Sequence, residues 1–207
     1  MADGREVARQ PEPPLAYVLW HWARPGITAG DYEARQRAFH AALAASPPAG
    51  FEASFSVALS GAPWAAAGAG AYEDWYLVRD FAALGFLNEG AVTASRAAPH
   101  DAAAAAAGGG TAGLFRLRLG RALREPRCAH WFAKPQGVRL ADFLAALERP
   151  VAEARGALWM RQMTLGPATE FCLHTPKPVP LPGVEALVLS LRAAWPPVPA
   201  VAGGGEA

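Results

Sequence analysis

One phrase occurs twice in this chain, and it constrains the fold more than any other feature. "LWHWARPGITAGDYEA" spans 19–34 and "AHWFAKPQGVRLADFLA" spans 129–145. Each carries a His-Trp pair, then Ala, a basic residue and Pro, a short loop, and an Asp followed by an aromatic residue. The aromatic and β-branched residues leading into the first pair, "LAYVLWHW" (15–22), are apolar on both faces, which suits a strand buried on two sides. Pro then ends the strand, and Asp sits where a helix begins. A strand-to-helix corner that recurs predicts two copies of one structural unit within 207 residues.

The elements between the corners support that plan. Residues 28–46 read as a helix, opened by Thr28 and Asp31 as a capping box with Asp in place of Glu. Tyr32, Phe39 and Leu43 fall on one face, Ser46-Pro47-Pro48 stops the helix, and His40 is expected at its surface or boundary. "FEASFSVAL" (51–59) alternates, with Phe51, Ala53, Phe55, Val57 and Leu59 on one side. A Gly/Ala loop holding Trp64 follows, then a strand over 72–78 and a helix over 80–92. "PHDAAAAAAGGG" (99–110) predicts a short helix ended by the triple glycine, and 113–120 alternates as a strand. The first part therefore reads β-α-β-β-α-β, the ferredoxin-like order.

The second part reads as a strand over 128–134, a helix over 139–154 with Pro150 kinking or ending it, and strands over 157–165, 170–175 and 184–195. "PKPVPLPG" (176–183) has four prolines in eight residues and cannot be a helix. It replaces the second helix of the plan. The expected fold is α+β: a leader over 1–14 and a tail over 196–207, both disordered, a complete ferredoxin-like unit over 15–120, and a degenerate one over 121–195. Strand order 4-1-3-2 would set 17–22 beside 72–78.

This tandem arrangement resembles a fused dimeric α/β barrel, the superfamily that includes the antibiotic-biosynthesis monooxygenase, EthD-like and muconolactone-isomerase-like families. The resemblance covers about 15–195 and rests on element order and the repeat. It implies that two open sheet faces meet around a cavity, with both halves supplied by one chain, and that the protein is a monomer. It also implies a range of activities: cofactor-independent monooxygenases, haem-binding or haem-degrading proteins, isomerases and cyclases.

Composition narrows the partners. Hydrophobic residues make up 52% and charged residues 18%, with a formal net charge of +1, so the chain can build a core and lacks the basic footprint of a nucleic-acid binder. The start has no apolar segment of a secretory signal, and no window is apolar enough for a membrane span. A soluble cytoplasmic protein is expected. Cys128 and Cys172 have no Cys-x-x-Cys spacing and read as buried thiols in a reducing compartment. No metal-ligand spacing, glycine-rich nucleotide loop or nucleophile elbow is present. No metal and no cofactor is expected, with haem kept as an alternative.

The candidate catalytic residues are His21, Tyr76, His130 and Arg161. His21 or His130 is placed as a general base or, in the haem alternative, an axial ligand, and Arg161 or Tyr76 as the holder of an oxyanion. Trp22, Glu52, Trp75 and Trp131 are the candidate ligand-binding residues, because aromatic walls with few polar groups make small-molecule pockets. Each has a plainer reading as well. The histidines can be hydrogen-bonded core residues, the aromatics can fill a core, and Glu52 can reach solvent. Asp74 is a further strand charge that needs a partner. Three functions stay open: a barrel that binds or acts without metal on an apolar, aromatic or polyketide-like molecule by oxygenase or isomerase chemistry, a haem protein, and a structural or interaction protein with a filled interior. If one half keeps a working site, the first is favoured, with His21 near Trp75 and Tyr76.

Overall fold

The computed structural model describes residues 14–62, 70–123, 125–164 and 169–199. The predicted leader (save Pro14), the loop around Trp64 and the last part of the tail lie outside them. The elements run β1 (Leu15–Ala23), α1 (Ala29–Ala45), β2 (Phe51–Leu59), β3 (Ala71–Val78), α2 (Phe81–Gly90), α3 (Ala97–Ala106), β4 (Ala107–Gly120), β5 (Cys128–Phe132), α4 (Leu140–Glu153), β6 (Ala157–Thr164), β7 (Phe171–Thr175) and β8 (Leu187–Pro199). All eight strands close into one antiparallel barrel in the order β1-β3-β2-β8-β5-β7-β6-β4.

Local chemistry sets the element ends. Thr28 accepts from the Asp31 N–H at 3.1 Å and its hydroxyl donates to the Asp31 carboxylate at 2.8 Å, which opens α1 as the capping box predicts. Asp80 caps α2 by accepting from the Ala83 N–H at 2.8 Å. Pro150 lies inside α4. The triple glycine belongs to β4 and follows the end of α3 at Ala106. It serves close approach of backbones: a Cβ on Gly110, which pairs with His21, would sit 2.8 Å from the Trp20 carbonyl oxygen. β8 runs past its predicted end and pairs with β2 up to Pro199, so 196–199 are strand.

Strand alternation divides the side chains into two layers. Ala16, Val18 and Trp20 of β1, Phe55, Val57 and Leu59 of β2, and Ala71, Trp75 and Leu77 of β3 point into the barrel, where Phe115, Trp131, Trp159 and Cys172 meet them. Trp20 and Trp131 pack edge to face at 5.7 Å, and Trp75 stacks on Phe55 at 5.8 Å. The expected inter-sheet cavity is therefore occupied by a packed aromatic core. One detail of β2 differs from simple alternation: a bulge between Phe51 and Ala53 sends Phe51 to the helix side, with Val78 and Leu43, and leaves Glu52 exposed.

The opposite layer faces the helices. Leu15, Phe39, Leu43, Tyr76, Val78, Ala83 and Leu87 pack between the first-half strands and α1–α3. In the second half Phe132, Phe143, Leu147, Val151, Phe171 and Leu173 form a corresponding layer, and Val179, Leu181 and Val184 of the Pro-rich connection pack against it. Cys128 and Cys172 are buried and free. Among the described residues, no helix is long and apolar enough to cross a membrane.

Candidate functional site

The site lies on the helix side of the first half. A cavity of about 640 Å³ is enclosed by β1 and β3 below and α1, α2 and α3 above, with Tyr17, Leu19, Phe39, Leu84, Leu87 and Ala103 forming apolar walls. The volume falls in the range of small-molecule sites. Its lining residues Phe81, Asn88 and Val92, on or just after α2, are exposed, so the cavity meets solvent there. Its buried end is made by His21, Tyr32 and Tyr76.

Behind that end runs a buried polar chain. His21 Nδ1 lies 2.6 Å from the Tyr32 hydroxyl, and His21 Nε2 lies 3.2 Å from Asp74 Oδ1. The other Asp74 oxygen accepts from the Tyr76 hydroxyl at 3.0 Å and lies 3.4 Å from His40 Nε2. His40 Nδ1 in turn is 2.7 Å from the Ser54 hydroxyl. The two imidazole–Asp74 approaches are charge contacts, bent away from straight hydrogen bonds. The strand pairing assembles the group: Asp74 sits opposite Leu19 on β1 and Ser56 on β2, and Tyr76 sits opposite Tyr17 and Ser54. Tyr32, Gln36 and His40, spaced at four, form the polar stripe of α1 that reaches it.

Electrostatics follow from this burial. Asp74 is fully buried, which alone would raise its pKa, but the His21 and His40 imidazoles outweigh burial and hold the carboxyl well below its usual range. It is a carboxylate at neutral pH. Burial and then the Asp74 charge push the Tyr32 phenol up, with Gln36 working the other way, so it stays protonated. Tyr76 is raised for the same two reasons. With Asp74 ionised and accepting only, the pattern satisfied by neutral rings has Nε2–H of both histidines towards Asp74 and both Nδ1 atoms accepting from hydroxyls.

The predicted site residues divide between the layers. His21 and Tyr76 line the cavity. Trp75 and Trp131 are core residues inside the barrel, and Trp22 packs over Gly109 on the inner side of β1; none of the three lines the cavity. His130 is the hydrogen-bonded core histidine. Its Nδ1–H donates to the Leu173 carbonyl at 3.0 Å and its Nε2 accepts from the Val179 N–H at 3.2 Å, and burial lowers its basicity. Arg161 is exposed on β6 and Glu52 is exposed on β2, both away from the cavity. His40, expected at the surface, is fully buried.

Four members of the site were missed as functional residues: Tyr32, Gln36, His40 and Ser54. The available signal was their spacing, because Tyr32, Gln36 and His40 share the apolar face of α1 with Phe39 and Leu43. Glu73 was missed as well. It is fully buried inside the barrel, where the Trp20 and Trp75 indoles donate to its two oxygens at 2.9 and 3.1 Å. Burial raises its carboxyl from 4.5 to about 7, against the pull of the indole N–H groups. Among the described residues, no cluster of three or more His, Cys, Asp or Glu is placed to hold a metal ion.

No family model and no curated protein matches the sequence. Solved structures do match in fold. A candidate monooxygenase from Fusobacterium nucleatum superposes with a TM-score of 0.61 at 8% identity, over 89% of this chain and 94% of that one. A candidate monooxygenase from Lactobacillus acidophilus gives 0.58 at 10% identity, over 88% and 95%. An anthrone oxidase-like protein gives 0.56 at 11% identity, over 94% and 95%. At these identities the likeness is one of fold: this chain shares the fold of these neighbours.

Proposed function

We propose that the first-half cavity binds a fused-ring phenolic molecule and removes a proton from it, opening a cofactor-free oxidation by dissolved oxygen. The observation that carries this reading is the Tyr32–His21–Asp74 chain ending in an apolar cavity. It has the parts of an acid–base relay: a hydroxyl at the ligand, an imidazole behind it, and a buried carboxylate that orients the ring and balances its charge. The apolar walls suit ring systems, and the polar groups lie at the deep end, so a phenol would enter first. The neighbours' names, monooxygenase and anthrone oxidase-like, support the chemical class.

In this mechanism the substrate gives up an acidic C–H proton to the Tyr32 oxygen as Tyr32 passes its own proton to His21 Nδ1. The imidazolium rests against Asp74. The carbanion adds dioxygen to give a peroxide anion, which takes the proton back from His21 through Tyr32. Loss of water from the hydroperoxide, with removal of the second C–H proton, leaves a carbonyl. The balance is one ring methylene and one dioxygen consumed, one ketone and one water formed. The Tyr76 hydroxyl donates to Asp74 at 3.0 Å and would have to leave that carboxylate to donate to a developing oxyanion. Returning the proton to a different carbon in the absence of oxygen would be the isomerase variant of the same first step. The haem alternative would need His21 to give up Tyr32 or Asp74, or His130 to give up a backbone partner, so the relay is the reading favoured.

The test uses 1,8-dihydroxyanthrone as the probe, with binding followed by calorimetry and oxygen uptake by electrode. Wild type is expected to bind it and accelerate uptake, and His21→Ala, Asp74→Asn and Tyr32→Phe to lose about 10²- to 10⁴-fold of that acceleration. Binding without acceleration would make the protein a carrier. Equal acceleration by all four proteins would end the relay reading.

We also infer that the two halves are copies of one ferredoxin-like unit, the second having lost a helix. The repeated phrase and the parallel orders β4-β1-β3-β2 and β8-β5-β7-β6 support this.

A further inference from the structure

We propose that His40 is a positioning residue that sets the base strength of His21, the two imidazoles competing through Asp74 for a single proton. The inference rests on the reading of His21 as the cavity base and adds to it a residue that touches no ligand. His40 does not line the cavity, and at 0% exposure it has no solvent to satisfy it. A polar ring in that position costs stability unless it is paired, and an apolar residue on this face of α1 would pack with Phe39 and Leu43.

The geometry is close to symmetric about Asp74. One imidazole faces each carboxylate oxygen, at 3.2 Å for His21 and 3.4 Å for His40. Each ring has a hydroxyl at its other nitrogen, Tyr32 at 2.6 Å and Ser54 at 2.7 Å. Each is also held in plane by a stacked ring. His21 lies on Tyr72 at 5.7 Å and 12°, and His40 stacks with Tyr76 at 5.2 Å and 12° and with Trp195 at 6.3 Å and 16°. Neither imidazole can turn away from the carboxylate without breaking a stack and a hydroxyl contact.

One carboxylate balances one imidazolium. The first proton to enter is shared between the two rings, and a second meets a group whose charge is already balanced, in a buried site. Two sites coupled in this way titrate in two steps that belong to the pair. The other groups around them do not supply a competing charge at neutral pH. Tyr32 on α1 and Tyr72 and Tyr76 on β3 are phenols raised by burial, and Gln36, Ser54 and Ser56 are neutral. Glu33 is neutralised by Arg192 of β8 and accepts from Tyr72. His100 of α3 lies beyond Phe39. His40 thereby takes part of each proton that would otherwise reside on His21, and keeps the cavity base free to lower pH.

Nitrogen-detected NMR of the ligand-free protein tests this without any substrate. In wild type the ring resonances of both histidines are expected to move in two steps with shared midpoints, about one pH unit or more apart. In His40→Gln, which keeps a donor near Asp74, His21 is expected to titrate in one step, at a pH above the midpoint of its wild-type curve. Single-step, unlinked curves for the two histidines in wild type overturn the proposal, and that measurement needs no variant to fold. An unchanged His21 curve in a folded His40→Gln overturns it too. If the anthrone probe is never turned over but the two-step curves are present, the coupling stands and the assigned reaction falls.

Discussion

The two carboxylates of the β3 stretch Glu73-Asp74 are neighbours in sequence and point to opposite layers, and their environments push them apart. Asp74 is held ionised by imidazoles, whereas Glu73 is raised to about 7 by burial among indoles. In the unfolded chain Glu73 releases its proton near 4.5. Between that pH and about 7 the folded state holds the extra proton, so this group's stabilisation is complete below 4.5 and is lost as pH rises through 7. The loss is expected to be about 3 kcal/mol. Urea denaturation at several pH values should show it, and Glu73→Gln should flatten the slope; an unchanged slope would mean that Glu73 stays ionised in the core. Asp74 works the other way, contributing stability above the ordinary carboxylate range and losing it as pH falls through its depressed folded value. The two repeated histidines differ just as sharply. His130→Ala removes the acceptor of the Val179 N–H and a side-chain donor to the Leu173 carbonyl and is expected to cost about 1–3 kcal/mol, with oxygen uptake on the anthrone probe unchanged, whereas His21→Ala removes that activity.

At the scale of elements, barrel closure depends on tight backbone contact. Gly120 ends β4 with φ of +77°, and a methyl there would run into the carbonyl oxygen of Gly156 just ahead of β6. Gly120→Ala is expected to lower stability by about 2 kcal/mol or more, read as a shifted urea midpoint; a neutral effect would show that the β4–β6 seam can open to admit it. The Pro-rich connection between β7 and β8 has a comparable structural part. Leu181 is buried against the α4 layer, and Leu181→Ala is expected to cost about 2–5 kcal/mol through the void it leaves. α2 acts differently, since its Phe81 lines the cavity while remaining 55% exposed. Arg116 sits over that ring at 5.5 Å.

For the whole molecule, the two seams β2–β8 and β4–β6 close the barrel within one chain. We therefore propose that the full chain is a monomer, and light scattering should return the mass of one chain at all concentrations. Residues 15–120 alone would expose the edges of β2 and β4 and half of the aromatic core. Such edges pair with whatever strand is offered, so that fragment is expected to dimerise or aggregate. A soluble monomeric fragment would show that the first half is stable without its partner.

Much of the architecture was legible from local physics. The strand at 15–22, the capped helix after Thr28, the alternation of 51–59 and the helix-free connection at 176–183 were each read from residue types acting on their own backbone, and each lies within a residue or a few of its place in the fold. The site was legible only in part. His21 and Tyr76 were singled out and do line the cavity, but Trp75, Trp131, His130 and Arg161 were grouped with them because alternation does not say which face of a strand turns inward. The bulge at Glu52 and the pairing of Asp74 with Leu19 and Ser56 come from contacts made across the sheet. By itself, then, the sequence determined which segments form strands and helices and where the capped and proline-stopped ones end, because caps, prolines and periodicity act within a few residues, whereas the ends of β4 and β8 were set by pairing across the sheet. Only the tertiary structure decided that the barrel is filled and the cavity lies beneath the helices, because both depend on the register of strands distant in sequence and on the volume their side chains leave between layers.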